Sequence, residues 1–155
     1  MITRKLESFL KSHKISYEKI DHPETFTSQA TAQIEHISGR QMAKVLIVKA
    51  DEKDVMVILP ASCKLDLNKF KEAVGAQRAR LESEQEFAPL FPDCEKGAMP
   101  PFGELYHLPL FADKSIAENE QIVFNGGNHH ESIRMRYRDY EEAAHPRLAE
   151  LALAA

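Results

Sequence analysis

Lys44-Val45-Leu46-Ile47-Val48-Lys49-Ala50 and Val55-Met56-Val57-Ile58-Leu59-Pro60 stand on either side of a charged turn, Asp51 to Asp54. Both runs are short, rich in β-branched residues and almost uninterruptedly apolar, a pattern of buried strands bounded by turn signals. The polar spacer predicts a hairpin. Because neither run alternates, both strands are expected to be buried on both faces, with helices against at least one. On the N-terminal side, Ile2, Leu6, Phe9, Leu10 and His13 recur at spacings of three and four, an amphipathic helix suited to covering a sheet. Ser16 to Asp21 reads as a short strand stopped at His22-Pro23, and a second helix is expected to start at Thr27 or Ser28. Downstream, Asp66 caps a helix carrying Leu67, Phe70 and Val74 that Gly75 ends, and Ser83 with Glu86 makes a capping box. Further strands are expected at Glu104 to Leu108, Gln121 to Asn125 and Ser132 to Tyr137, with helical turns from Asp139 and Arg147.

A chain of 155 residues can bury a core without disulfides or metal, so residues 1–155 are expected to form one domain. Apolar residues at 43% and charged residues at 28% exclude a disordered or fibrous chain. No stretch approaches the roughly 20 apolar residues of a membrane span, and Met1 to Leu10 carries charges where a signal peptide would be apolar. The expectation is a cytoplasmic protein without a membrane partner. Cys63 and Cys94 lie in no metal-ligand spacing, which favours reduced thiols. A net charge of −4 argues against broad attraction to nucleic acid, because such attraction needs many cations to neutralise phosphates. An RNA partner would have to be held locally, by a basic cluster or through a larger protein.

From Pro89 to Pro109 the chain holds five prolines and two glycines together with Leu90, Phe91, Phe102, Leu105, Tyr106 and Leu108. So many large apolar side chains mark an ordered loop region rather than a linker, and ordered loops on a packed scaffold often carry binding and chemistry. Two motifs stand out beside the hairpin. One is Gly97-Ala98-Met99-Pro100-Pro101-Phe102-Gly103, and the other is Gly126-Gly127-Asn128-His129-His130 before a strand.

Ala43-Lys44 opening the central strand, the Gly-x-x-x-Pro loop and the Gly-rich histidine turn, in that order, resemble the YbaK and prolyl-tRNA synthetase-associated family over nearly the whole chain. The resemblance implies a mixed α/β fold of the α+β type, a central largely antiparallel sheet with flanking helices. It also implies hydrolysis of the ester that joins an amino acid to the 3′ end of a misacylated tRNA, with mischarged tRNA for proline the leading substrate. Prolyl-tRNA synthetase or another translation factor would be the protein partner. The family's strand-opening lysine, a phosphate contact, carries over to Lys44 and not to Lys49. Its loop maps onto Gly97 and Pro101, with Met99 and Pro100 between them, where glycine allows close backbone approach and fixed N–H donors can meet developing oxyanion charge. The family's histidine falls on His129 or His130; His130 is favoured as the catalytic residue, with Gly127 and His129 beside the substrate. His22 and Thr27 resemble pocket residues of the N-terminal segment.

Other chemistries fit the residues less well. No Gly-x-Ser-x-Gly elbow occurs, and neither cysteine has a nucleophile signature. His107, His129 and His130 do not form the i, i+4 pair of a helical metal site, so no metal and no cofactor is expected. The reading from a different class is a non-catalytic tRNA-binding or synthetase-associated adaptor.

Overall fold

The structure, a computed structural model, describes residues 2–24 and 38–153. Helix α1 (Arg4–Ser12) is capped by Thr3, whose side chain accepts from the Leu6 amide, and it buries Leu6, Phe9 and Leu10. Strand β1 (Glu18–Asp21) follows. The central hairpin is formed by β2 (Ala43–Ala50) and β3 (Lys53–Pro60), paired from Ala43 opposite Pro60 to Ala50 opposite Lys53. Helix α2 (Leu67–Val74) starts at Asp66, which caps two amides, and ends at Gly75 with φ +74°. After β4 (Ala79–Leu81), the Ser83–Glu86 capping box opens α3 (Glu84–Phe87), a single turn. Strands β5 (Leu110–Asp113), β6 (Gln121–Asn125) and β7 (Glu131–Arg136), helix α4 (Tyr137–Ala144) and strand β8 (Arg147–Ala149) complete the order.

Two sheets result, β1-β7-β6 and β4-β2-β3-β5-β8. Pairing is antiparallel except where β5 lies parallel to β3 and β8 parallel to β5. A parallel bridge between Met42 and Val123 joins the sheets, and these residues with Ala61 are buried together. This is the mixed α/β fold with a largely antiparallel sheet and flanking helices that the sequence led us to expect.

Three expectations need correction. Residues 104–108 are not a strand: Gly103–Tyr106 form a 3-10 turn and His107 is left-handed at φ +58°. Pro109 has no amide to give a ladder, but its carbonyl accepts from the Met56 amide and β5 starts only at Leu110. The helical turn expected from Arg147 is β8, because His145 adopts φ +50° and stops α4. The last helix itself begins at Tyr137 rather than Asp139. The helix expected at Thr27 or Ser28 lies outside the described residues.

Alternation along β2 divides its side chains between two cores. Ala43 and Ile47 join Met56, Ile58, Met99 and Phe102 on one side, whereas Val48 and Ala50 join Leu59, Phe70 and Leu151 on the other. Phe102 is the hub of the first core, with ring centroids 5.2 Å from Phe9, 5.6 Å from Phe124 and 5.3 Å from Tyr140. Edge-to-face contacts of this kind add to area burial. By placing Phe102 there, the core anchors the end of the Gly97 loop.

Candidate active site

The Gly97 loop and the Gly126–Gly127 turn are tied together by backbone. The Glu95 amide donates to Gly127 O at 2.8 Å, and the Gly127 amide donates to Ala98 O at 3.0 Å. Gly97 has φ +81° and Gly127 φ +106°, values that exclude ordinary side chains. A Cβ on Gly127 would also overlap Thr3 Cγ2, and one on Gly126 would come 2.6 Å from Ile2 Cγ2. The start of α1 therefore packs directly against the turn.

His129 is 6% exposed and its Nε2 lies 2.6 Å from Lys96 O, so that nitrogen carries the proton it donates; its amide donates to Glu95 Oε2 at 3.3 Å. His130 points the other way, into solvent, while its backbone holds the turn: its amide donates to Asn128 Oδ1 at 3.0 Å and its carbonyl accepts from the His22 amide at 2.9 Å. Asn128 also accepts from the Glu131 amide at 2.7 Å and donates to Glu131 Oε1 at 2.9 Å, an internal brace. Half-buried His22 donates from Nδ1 to Pro23 O at 2.7 Å, leaving Nε2 to meet Ser132 Oγ at 3.1 Å.

Ala98, Met99, Pro100, Pro101 and Phe102 are all buried. The Pro101 carbonyl accepts from Tyr140 OH at 2.7 Å and the Pro100 carbonyl from the Phe102 amide at 2.9 Å. The amides of Gly97 and Met99 donate to no acceptor among the described residues. Amides with no internal acceptor are donors of the kind an oxygen anion needs.

Lys44 is half-buried, and burial lowers its pKa from the usual lysine value; Cys63 opposes this, and the Lys64 ammonium, a smaller influence, reinforces it. No hydrogen bond or ion pair joins it to the Gly97 loop or the histidine turn. The alternation of β2 places Lys44 on the side of Leu46 and Val48, away from Met99. Of the residues expected in the site, the structure thus brings together His22, Gly97, Met99, Gly127, His129 and His130 with Pro100 and Pro101, sets Lys44 apart on the strand, and leaves Thr27 outside the described residues.

Sequence reasoning missed Asn125 and Ser132. They are cross-strand partners at the end of β6 and the start of β7, so their side chains share a face with each other and with His22. Asn125 is 6% exposed, yet its Oδ1 has no hydrogen-bond partner among the described residues. A buried unpaired acceptor costs free energy and marks a place for a donor. An asparagine before Gly-Gly reads in sequence as turn chemistry; only the unusual burial gives it away.

A concavity of about 490 Å³ bounded by Lys49, Asp51, Glu52, Arg78 and Arg80 lies at the turn end of the hairpin. There Lys49 pairs with Asp54 at 2.7 Å and Arg80 with Glu86 at 2.7 Å, and none of the bounding residues belongs to the candidate site. Among the described residues no group of three or more His, Cys, Asp or Glu could hold a metal ion. None of their helices is long and apolar enough to cross a membrane.

Solved structures share the whole architecture. The hypothetical protein APE2540 superposes with a TM-score of 0.87 at 22% identity, covering 97% of this chain and 100% of its own. A protein put forward as a trans-editing enzyme for prolyl-tRNA synthetase superposes at 0.84 with 20% identity, covering 97% and 96%. These likenesses, at 22% and 20% identity, show the fold. The chain belongs to the aminoacyl-tRNA editing domain family, whose model matches residues 22–143. Among curated relatives, the Escherichia coli (strain K12) multifunctional Ser/Thr-tRNA deacylase ProXp-y is 29% identical over 150 residues, 94% of this chain and 89% of its own. A proline–tRNA ligase of Bacillus cytotoxicus is 28% identical over 100 residues, 64% of this chain and 18% of the ligase. The chain is accordingly an aminoacyl-tRNA deacylase.

Proposed function

We propose that this deacylase acts in trans, removing a small hydroxyl-bearing amino acid from mischarged tRNA, with tRNA for proline among its substrates and prolyl-tRNA synthetase as the enzyme it serves. The observation that carries this reading is the nearly end-to-end likeness to a Ser/Thr-tRNA deacylase, against a match to only 18% of the proline–tRNA ligase. Asn125 Oδ1 and Ser132 Oγ, on one face beside His22, supply acceptors suited to an α-ammonium group and a substrate hydroxyl.

In the mechanism, Lys44 holds a phosphate near the terminal adenosine and the loop from Gly97 to Pro101 cradles the ester. The free amides of Gly97 and Met99 receive the carbonyl oxygen as it gains charge. Water adds to the carbonyl carbon, the bond from carbon to ribose oxygen breaks, and the proton released by water ends on ribose oxygen. Free amino acid and tRNA result. In this reading the neighbouring ribose hydroxyl orients that water. Single-turnover hydrolysis of tRNA for proline charged with serine, threonine, alanine or proline tests the reading. Serine and threonine esters should be cleaved fastest and the proline ester spared. Equal rates on all four would refute the hydroxyl preference, and no cleavage of any would refute deacylation.

A further inference from the structure

The sheet made by β1, β6 and β7 has two unlike faces. Ile122 and Phe124 of β6 and Ile133 and Met135 of β7 join the core that holds Phe102. By alternation and register the opposite face carries Asn125 beside Ser132, Val123 beside Arg134 and Gln121 beside Arg136. Exposure grows along this face, from buried Ser132 and Asn125 through half-buried Arg134 to exposed Arg136 and Gln121. Its closed end is the place where His22 Nε2 meets Ser132 Oγ, and its open end faces solvent.

Four buried side-chain polar atoms of the described residues have no hydrogen-bond partner among them. Two belong to Glu82 and Asp54; the other two, Asn125 Oδ1 and Arg134 Nε, belong to diagonal neighbours on this face. Arg134 Nη1 donates to Glu18 Oε2 at 3.2 Å, whereas Nη2, like Nε, donates to no acceptor among the described residues. The edge formed by Nε and Nη2 is therefore free, and such a two-donor edge meets a phosphate bidentately. Arg136, two residues further out, has no ion-pair partner among the described residues. Two residues of strand span about 7 Å, comparable with the separation of successive phosphates in a nucleic-acid strand. Glu18 is the one carboxylate that these three strands place on the face, and Arg134 already offsets it. A chain with a net charge of −4 has no general attraction for RNA, so a substrate RNA needs a local cationic path of this kind.

We propose that the outer face of β7 is the track for the acceptor end of the tRNA: Arg136 and the free edge of Arg134 bind successive phosphodiesters and lead the 3′ terminus to the closed end, where Asn125, Ser132 and His22 receive it. The proposal rests on the deacylase reading and adds to it the path by which RNA reaches the site. Binding of uncharged tRNA, followed by fluorescence anisotropy against salt, and single-turnover hydrolysis of tRNA for proline charged with serine are measured on the wild type, Arg136→Ala, Arg134→Lys, Glu18→Gln and Lys53→Ala. Lys53 carries an exposed charge of the same sign at the turn of the hairpin. Arg136→Ala should raise the dissociation constant about three- to tenfold and lower the salt slope by about 0.7, the value for one contact to a single strand. Arg134→Lys, which keeps the charge and loses the fork, should weaken binding about threefold with the slope unchanged. Glu18→Gln, which keeps both cations, should bind at least as tightly as the wild type, and Lys53→Ala should bind like it. If Arg136→Ala and Arg134→Lys bind tRNA as the wild type does, the track is wrong, and hydrolysis by the wild type leaves the deacylase reading standing; loss in these variants of stimulation by prolyl-tRNA synthetase alone would give the face to a protein instead. If Glu18→Gln weakens binding as Arg134→Lys does, the ion pair is structural and the track is wrong. If Lys53→Ala weakens binding as much as Arg136→Ala, the effect is general charge and the track is again wrong. Absence of hydrolysis by the wild type would remove the deacylase reading, while the anisotropy series decides the track by itself.

Discussion

His129 and His130 are neighbours in the chain and opposites in the fold. His129 is a post under the Gly97 loop, its ring bonded to Lys96 O, whereas His130 offers solvent its ring and the turn its backbone. His129→Ala is therefore expected to free the loop and cut the deacylation rate at least tenfold, a loss of roughly 1.4 kcal/mol in transition-state positioning. His130→Ala should cost a few-fold at most. Single-turnover rates at saturating enzyme measure both, and the reverse order would move catalysis to His130. Part of this was legible from residues alone: the Gly97 loop and the Gly126-Gly127 histidine turn stood out as motifs, and the structure ties the two together through their backbones. What could not be read was which histidine faces inward, because a turn has no period from which to count faces. Asn125 escaped for a related reason, since its demand for a donor exists only once β6 and β7 have buried it.

At the scale of elements, the hairpin was legible because two apolar runs and a charged turn leave few alternatives, and the caps at Asp66 and Ser83 were legible because capping chemistry is local. β4 and β8, three residues each, are edge strands whose existence depends on partners far away in sequence, and no local signal marked them. The hairpin also carries a stored electrostatic conflict. Buried Glu82 faces Asp54, with Lys49 3.9 Å from one carboxylate and 2.7 Å from the other, while Arg80 and Glu86 pair alongside. Burial, then contact with Asp54, pushes Glu82 up to about 7, whereas the hydrogen bond from Glu82, then that from Lys49, holds Asp54 below its usual value. A carboxyl raised on folding binds more protons in the native state, so its contribution weakens stability as pH climbs from the ordinary glutamate range to about 7. Glu82→Gln should thus be more stable than the wild type at pH 8, with the gap closing below about pH 5. Urea midpoints at the two pH values check this; a pH-independent gap would mean that Glu82 does not titrate across that window.

In the proposed mechanism the whole molecule is a frame around a substrate that brings part of its own chemistry. Misacylated tRNA ending in 2′-deoxyadenosine should bind normally yet be hydrolysed at least a hundredfold more slowly, because the ribose hydroxyl that orients water is gone. On the proposed mechanism EDTA should leave the rate unchanged, since it assigns the oxyanion to backbone amides rather than to a cation. Full turnover of the deoxy substrate would exclude substrate assistance, and loss of activity in EDTA restored by zinc would bring a metal into the site. The pairing of β1 with β7 has a further consequence, in time rather than in space. Among the described residues, 18–21 pair with 131–134 alone, so the early strand waits for that partner while the hairpin is already complete. At roughly 5–20 residues per second of synthesis, some seconds separate the last residue of β3 from the last of β7. During that interval the nascent chain carries a finished hairpin with an unclosed second sheet. The turn of the candidate site, lying between β6 and β7, is therefore among the last of these parts to take shape.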